Sequence, residues 1–321
     1  MILSVSRRTD IPALYAKWFI KRLKEKFVLV RNPFNSNQIY HIPITPENVD
    51  CIVFWTKNSK PFHKYLDIVS SMGYNYYFHF TITPYAKEIE DGLPDKKVIV
   101  KTFQELGSKI GRKKIILRYD PVLLSPKYTI DYHIKAFEKL CHNIGSYTEQ
   151  IIISFLDIYN KISKNMINTN IYKPETEDIY KIAAGFSKVI NQYSHITLKT
   201  CAEDINLQEF NIKNAKCIDD KLIEEITGFK LKKNIPKDNS RDYCTCIKCV
   251  DIGQYNTCIH NCAYCYAGNK NVIDYTSHNP NSPLLIGNIN EKADKITPYS
   301  HKNTLSFIEN TPNLSIEDFL Q

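Results

Sequence analysis

The residues best suited to chemistry in this chain are cysteines, and most of them lie close together. Six of the ten cysteines fall within residues 244–265 of the 321-residue sequence. Among them, Cys258, Cys262 and Cys265 have the spacing C-x3-C-x2-C. Three thiolates on one loop can bind three irons of a [4Fe–4S] cluster and leave the fourth iron open to another ligand. We therefore predict a metal centre at these three cysteines. Zinc is the alternative occupant, because C-x2-C pairs are common ligands of tetrahedral zinc.

A second group of thiols is spread along the chain. Cys201 and Cys217 lie at the ends of the last two strands that we predict, and Cys244 and Cys246 form a C-x-C pair. Neighbouring strand ends lie close together in a barrel, so these four cysteines could hold a second, fully ligated [4Fe–4S] cluster. In the alternative, Cys201 and Cys217 are small buried apolar residues, and the C-x-C pair with Cys249 binds zinc or stays free.

The scaffold that must position these cysteines belongs to the α/β class by its apolar pattern. Eight short β-rich runs are bounded by polar or proline residues, and most precede a stretch with helical period. The runs are residues 2–5, 28–30, 52–55, 76–80, 115–119, 151–155, 196–198 and 215–218. Eight strands alternating with helices favour a (β/α) TIM-type barrel, full or nearly full. Two alternatives stay open: a doubly wound open sheet, and a hairpin of 27–31 with 38–44 in place of the second strand.

Polar residues end or follow several of these strands, at the end where barrels carry their active sites. The candidates for catalysis or substrate binding are Asp10, Arg118, Asp120 and Glu203. Arg7 and Arg8 are candidates for binding a cofactor carboxylate, because the guanidinium fork suits that group. Each side chain taken alone could be structural, but charges that converge on one rim must pair or bind something.

The composition changes near residue 229, which suggests a domain organisation. We predict a barrel over residues 1–228, a basic linker over 229–242, a cysteine-rich cluster-binding cap over 243–270, and an extended tail over 271–321 that packs on the barrel. The basic residues of 230–241 could attract a phosphate-bearing substrate or nucleic acid, although a solvated linker is the simpler interpretation. Cys51 and Cys141 lie on apolar faces and are predicted core residues.

Composition and missing motifs exclude several classes of protein. The chain is 43% apolar and 24% charged, which is typical of a folded protein, and no window offers the roughly 18 apolar residues of a membrane helix. Its net charge of +8 gives only a weak attraction to anions. We find no Walker phosphate loop, G-x-G-x-x-G, H-E-x-x-H or G-x-S-x-G motif. Arg7, Arg8 and Asp10 interrupt the apolar start, so we recognise no secretory signal and expect a cytoplasmic protein.

The stretch from Cys258 to Cys265 resembles the C-x3-C-x-aromatic-C motif of the radical S-adenosylmethionine (radical SAM) superfamily, with Tyr264 as the aromatic residue. The resemblance implies that the three cysteines bind a [4Fe–4S] cluster whose open iron takes the amino and carboxylate groups of S-adenosylmethionine, with Tyr264 near the adenine. It also implies a barrel fold and an enzyme that makes a 5′-deoxyadenosyl radical and abstracts hydrogen from a substrate. An electron donor such as a flavodoxin or ferredoxin would be its partner.

The whole chain also resembles a bacterial family whose members begin like Ser4-Val-Ser6-Arg7-Arg8-Thr9-Asp10-Ile-Pro12 and carry Asp251-Ile-Gly253 before C-terminal cysteines. Spore photoproduct lyase is a more distant likeness around Cys265-Tyr266. Three functions therefore stay open. They are a radical SAM enzyme, a non-catalytic barrel that holds zinc or an iron–sulfur cluster without S-adenosylmethionine, and an enzyme that modifies nucleic acid.

Overall fold

The computed structural model describes residues 1–158, 170–232, 235–238, 242–268 and 275–299, and the backbone of 308–309. Its strands are β1 (Ile2–Val5), β2 (Phe27–Asn32), β3 (Asn35–Pro43), β4 (Cys51–Thr56), β5 (Tyr76–Thr81), β6 (Ile115–Val122), β7 (Gln150–Phe155), β8 (Thr197–Thr200), β9 (Lys213–Asn214), β10 (Lys230–Leu231), β11 (Val250–Asp251), β12 (Lys295–Pro298) and β13 (Ile308–Glu309). Its α-helices are α1 (Ile11–Leu14), α2 (Ala16–Glu25), α3 (Leu66–Ser71), α4 (Lys96–Ile110), α5 (Ile130–Ile144), α6 (Thr176–Ile190) and α7 (Asp220–Thr227). Short 3₁₀ helices span Lys60–Tyr65, Arg112–Lys114, Gly145–Tyr147 and Gln208–Phe210.

A parallel sheet of eight strands forms the centre of the molecule, which confirms the α/β class. The strand order is β11-β1-β4-β5-β6-β7-β8-β9, and every pairing within it is parallel. All eight strands therefore end at the same edge of the sheet. Parallel strands need crossover connections, and the helices of the chain supply most of them.

The two faces of the sheet have different roles. Successive side chains on a strand point to opposite faces, so Phe54 and Phe78 pack with the helices in the main core. Val53, Tyr77 and Ile116 belong instead to a second, smaller core on the other face. That second core also contains the side chains of four cysteines, which are Cys51, Cys201, Cys217 and Cys246.

The helices begin and end where local sequence signals place them. Asp95 caps α4 by accepting from the backbone N–H of Lys97, and Thr129 caps α5 by accepting from that of Tyr132. The glycine that follows α4, Gly111, has a φ of +85°, which favours glycine because it has no Cβ. These caps supply partners for backbone groups that a helix end leaves without one. Among the described helices, none is long and apolar enough to cross a membrane.

The prediction that residues 28–30 form the second strand of the main sheet is wrong. Residues in this region form β2 and β3, an antiparallel hairpin that β12 extends into a separate three-stranded sheet. The hairpin alternative is confirmed. The physical reason is the short connection between the apolar runs 27–31 and 38–44. A parallel pair requires a crossover of a dozen residues or more, and these runs lie too close in sequence for one.

The prediction that residues 215–218 form the last strand is also wrong. The sheet ends instead with β9 at one edge and gains β11, from the cysteine-rich segment, at the other. The backbone N–H groups of Cys217 and Ile218 point at the sulfur of Cys246, so they are not available to a neighbouring strand. Ile247 N–H also donates to the carbonyl of Ile218 at 3.2 Å. Among the described residues β9 and β11 do not pair, but the segment after β9 lies against the segment before β11.

The regions assigned above to a linker and a tail make specific contacts where they are described. Asp238 forms an ion pair with Arg7 at 2.7 Å, and β10 pairs with β13. The indole N–H of Trp18 donates to the carbonyl of Ser282 at 2.9 Å, and β12 joins the hairpin sheet. Residues 233–234, 239–241, 269–274, 300–307 and 310–321 of these regions lie outside the described residues.

Candidate functional site

A cavity of about 770 Å³ opens at the carboxyl ends of the parallel strands. Its walls come from the ends of β1, β4, β5, β6 and β7 and from the cysteine-rich segment. Of the residues predicted for the site, it is lined by Arg7, Arg8, Asp10, Arg118, Asp120, Tyr264 and the seven cysteines Cys201, Cys217, Cys244, Cys246, Cys258, Cys262 and Cys265. One edge of the sheet thus brings together groups that lie more than 250 positions apart in sequence.

The loop that carries Cys258, Cys262 and Cys265 is fixed by backbone pairing. Ala263 N–H donates to the carbonyl of Ile89 at 2.8 Å, and Gly92 N–H donates to that of His260 at 3.0 Å. A Cβ added at Gly92 would lie 2.3 Å from the carbonyl oxygen of Ile259. Glycine is therefore required there, because only a residue without a side chain permits this close approach.

Tyr264 of the cysteine loop is anchored in a buried charge network. Its hydroxyl donates to the Glu90 carboxylate, and the Lys57 ammonium lies 2.8 Å from that carboxylate and 2.9 Å from the hydroxyl. Lys96 contacts the same carboxylate. Burial alone would raise the pKa of Glu90, but Lys57 and Lys96 outweigh that effect and lower it to about 2. The carboxylate is therefore ionised and holds the tyrosine in place.

The three thiols of this loop lie at the cavity wall, where Cys262 is buried and Cys258 and Cys265 are partly exposed. Burial raises the pKa of Cys258 to about 12, and the neighbouring Asp10 and Cys265 add to the effect. Burial also raises the pKa of Cys262, although Lys57 opposes the change. Thiols must lose their protons before they bind metal. Metal binding by this loop would therefore release protons, and a higher pH would favour it.

Asp10 has a carboxylate that is fully engaged by the protein. One oxygen accepts from the Thr56 hydroxyl at 2.7 Å and from Ala13 N–H at 3.0 Å. The other accepts from Lys57 N–H at 2.7 Å and pairs with His260 Nε2 at 2.8 Å. The arrangement links the start of the chain, the end of β4 and the cysteine loop. Geometry thus favours a positioning role for Asp10 over direct contact with a substrate.

Arg7 and Arg8 both line the cavity but differ in their partners. The Arg7 guanidinium donates to Asp238 at 2.7 Å and to the sulfur of Cys249 at 3.3 Å. Among the described residues, the Arg8 guanidinium has its Nη1 3.5 Å from the carbonyl of Gly253, its Nε 4.0 Å from Asp251 and its Cζ 5.4 Å from the centre of the Tyr255 ring. Arg8 is consequently the better placed of the two to bind an anionic ligand.

Arg118 and Asp120 extend from the end of β6 into the same cavity. The Arg118 guanidinium donates to the Asp120 carboxylate, and the Ser154 hydroxyl donates to the other oxygen of that carboxylate. The Nη1 of Arg118 also lies 2.9 Å from the sulfur of Cys217. The guanidinium carbon of Arg118, Cζ, lies 5.4 Å from the centre of the Trp55 ring. Arg118 therefore connects the strand-end charges to the second group of cysteines.

The second cysteine group lies on the wall formed by the segments after β8 and β9. The sulfurs of Cys201 and Cys217 are 3.1 Å apart, and Cys246 accepts from Cys217 N–H at 3.1 Å. The hydroxyl of Tyr77 and the Nε2 of His79, on the face of the sheet that carries the second core, both lie 2.7 Å from the carbonyl oxygen of Cys217. These contacts fix the segment after β9 across that face.

Glu203 lies behind the rim and is not among the residues that line the cavity. Its carboxylate accepts from Phe155 N–H at 2.9 Å. Burial raises its pKa to about 7, and Asp157, Asp120 and Cys201 contribute in the same direction. A carboxyl group with this pKa can exchange a proton near neutral pH.

Four residues of the site are absent from the sequence-based prediction. They are Lys57, Glu90, Asp251 and His260, of which Asp251 accepts from Ser4, Ser6 and the backbone of Arg7. The position of Lys57 directly after a strand was a usable signal for its place at the rim. Glu90 lies in a loop with no motif, and only the tertiary fold brings it to Tyr264.

Within the part of the chain that the structure describes, no three His, Cys, Asp or Glu side chains converge as ligands of a single metal ion. A multi-iron cluster does not require such convergence, because each thiolate binds its own iron.

The fold and site define this protein as an α/β protein with a large parallel sheet and a cysteine-lined cavity at the carboxyl edge. Comparison with protein families matches residues 2–267 to the family described as Domain of unknown function (DUF1848). The match includes all eight strands of the sheet and both cysteine groups, and the chain belongs to this family. A search of curated proteins found no match to the chain.

Proposed function

We propose that this protein is a radical SAM enzyme whose [4Fe–4S] cluster is bound by Cys258, Cys262 and Cys265. The observation that carries the proposal is the position of this loop. Its C-x3-C-x-Tyr-C sequence lines a cavity at the carboxyl end of a parallel sheet, the end where enzymes of this architecture bind their ligands. The sheet itself is interpreted here as a nearly closed (β/α) barrel with its seam between β9 and β11.

The residues around the loop fit such a cofactor pair. When bound, the cluster would supply the electron that cleaves S-adenosylmethionine into methionine and a 5′-deoxyadenosyl radical. The protein's part is to fix Tyr264 through Glu90 and Lys57, so that its ring can contact an adenine. Arg8 offers a guanidinium for the carboxylate of S-adenosylmethionine.

The cavity is large enough for a cofactor and a substrate together. Its volume of about 770 Å³ lies within the range of about 300–1,000 Å³ that ligand sites span. Walls on several sides would keep water from a reactive intermediate. The electron would come from a partner such as a flavodoxin or ferredoxin.

The test is production of 5′-deoxyadenosine. Protein purified and reconstituted without oxygen would be reduced with dithionite and incubated with S-adenosylmethionine, and the nucleoside would be measured by chromatography. We expect 5′-deoxyadenosine from the wild type and none above background from Cys262→Ala. The matched control is Cys141→Ala, because Cys141 is buried in the main core away from the cavity, and it should retain the activity.

A colourless protein that contains zinc and produces no 5′-deoxyadenosine would overturn the proposal. An iron–sulfur protein that never cleaves S-adenosylmethionine would retain the metal centre but remove the radical chemistry.

A further inference from the structure

We propose that Cys201, Cys217, Cys244 and Cys246 bind a second [4Fe–4S] cluster, one whose four irons all have protein ligands. All four side chains line the cavity, and none forms a disulfide. They come from three separate segments, which follow β8, follow β9 and precede β11. This inference does not rest on the proposed function, because the site can hold its cluster whether or not S-adenosylmethionine binds nearby.

The four sulfurs form a continuous chain of contacts. The Cys201 and Cys217 sulfurs lie 3.1 Å apart, longer than a disulfide of about 2.05 Å, so the two thiols are in contact without being bonded. The Cys246 thiol hydrogen-bonds to those of Cys217 and Cys244. Four thiols that converge in the wall of a cavity match the ligand number of a fully ligated cluster.

The surroundings of the sulfurs favour an iron–sulfur cluster. Cys246 accepts from the backbone N–H of Cys217 at 3.1 Å and of Ile218 at 3.4 Å. The Arg118 guanidinium donates to the sulfur of Cys217 at 2.9 Å and is buried. N–H donors and a buried positive charge stabilise the negative charge of a thiolate-ligated cluster, and hydrogen bonds to sulfur tune its potential. The open cavity beside the four side chains gives room for a group larger than one ion.

The location of the site suggests what the cluster does for the fold. Cys217 lies just after β9 and Cys246 just before β11, and these strands are the two unpaired edges of the sheet among the described residues. A cluster bound by both segments would join the two edges of the sheet covalently and so close the sheet into a barrel. Because every iron would carry a thiolate, no iron could bind a substrate, so its chemistry would be limited to carrying single electrons.

The experiment measures iron in a variant that lacks the first site. The triple variant Cys258→Ala/Cys262→Ala/Cys265→Ala would be reconstituted without oxygen, and iron, sulfide and zinc would be counted per chain. We expect about eight irons in the wild type and about four in the triple variant, with about four sulfides. The reduced triple variant should give an electron paramagnetic resonance signal that S-adenosylmethionine does not change.

A folded triple variant with no iron, or with one zinc in place of iron, would overturn the second cluster. The converse variant, Cys201→Ser/Cys217→Ser, covers the case in which the triple variant does not fold. It should lose about half of the wild-type iron and keep any signal that responds to S-adenosylmethionine, whereas an unchanged iron content would overturn the assignment.

Cys249→Ser is the matched control, because Cys249 lies in the same segment but contacts Arg7 and does not line the cavity. Its iron content should equal that of the wild type. Failure of the proposed function would look different: the triple variant would still hold its four irons, while the wild type would show no response to S-adenosylmethionine.

Discussion

His260 Nε2 lies 2.8 Å from a carboxylate oxygen of Asp10, across 250 positions of sequence. His260 is located between two cysteines of the proposed cluster loop, and Asp10 caps the first helix of the chain. The same carboxylate accepts from the end of β4. This contact therefore helps to fix the cysteine loop against the rim of the sheet.

Replacing Asp10 with alanine should destabilise the protein and loosen the cysteine loop. The change leaves buried donors of Thr56, Lys57 and His260 without their acceptor, and we expect the free energy of unfolding to fall by about 3 kcal/mol. Urea titration measures the change. The matched control is Asp67→Ala, because Asp67 is 83% exposed in its ion pair with Lys109, and it should shift stability by less than about 0.5 kcal/mol. Equal effects of the two substitutions would contradict the positioning role.

The Glu90→Gln substitution should have a large effect. It removes the buried charge that compensates the partly exposed Lys57 and Lys96, and breaking a buried ion pair costs about 3–5 kcal/mol. Glu88→Gln, two positions away, removes a surface ion pair with Lys127, worth about 0–1 kcal/mol, and keeps an amide oxygen that can accept from the Tyr128 hydroxyl as the carboxylate does. Thermal unfolding of both variants should show a clear loss for the first and little for the second. If Glu90→Gln unfolds like the wild type, Tyr264 is not held by this network.

The Gly92→Ala substitution tests the docking of the cysteine loop. A methyl group would collide with the carbonyl of Ile259, so the loop must shift, at a cost of about 1–3 kcal/mol. We expect loss of the iron held by Cys258, Cys262 and Cys265, with the other group of cysteines unaffected. Gly268→Ala adds the same methyl group where no described residue lies within 4 Å, and its iron content should not change. Full iron content in Gly92→Ala would show that the loop tolerates the displacement.

Glu203 should make stability depend on pH in a defined window. Burial raises its pKa from 4.5 to about 7, so the folded state holds the proton more tightly than the unfolded state does. Its contribution is fully present below pH 4.5 and is lost as the pH rises to about 7. The Glu203→Gln variant should therefore gain stability relative to the wild type across this window, by at most about 3 kcal/mol, with a constant difference above it. Unfolding titrations at several pH values measure the difference, and a flat difference from pH 4 to 8 would contradict the shift.

The sequence was enough to predict the parallel α/β sheet, because most of its strands are short apolar runs followed by helical periodicity. The sequence was not enough to predict which strands form the two edges of this sheet. Val250 and Asp251 form a strand of only two residues, which no periodicity can reveal, and the hairpin of β2 and β3 has the same β propensity as a central strand.

The candidate site was likewise predictable only in part. The spacing of Cys258, Cys262 and Cys265 pointed to a metal centre, and positions after strands pointed to Arg118 and Asp120. The role of Glu90 depends on packing between segments far apart in the chain, which the sequence does not encode locally. The partners of Asp10 and Arg7 were likewise set by tertiary contacts, so their side chains were predicted at the rim without their actual acceptors or donors.

The most direct test of the central claim is electron paramagnetic resonance of the reduced, reconstituted protein with and without S-adenosylmethionine. Binding of the cofactor to an open iron changes the ligands of that iron and therefore the signal of the cluster at Cys258, Cys262 and Cys265. We predict a [4Fe–4S] signal that S-adenosylmethionine alters in the wild type and in Cys141→Ala, but not in Cys262→Ala. A spectrum that is identical with and without S-adenosylmethionine, or a protein that holds zinc and no iron, would contradict the account.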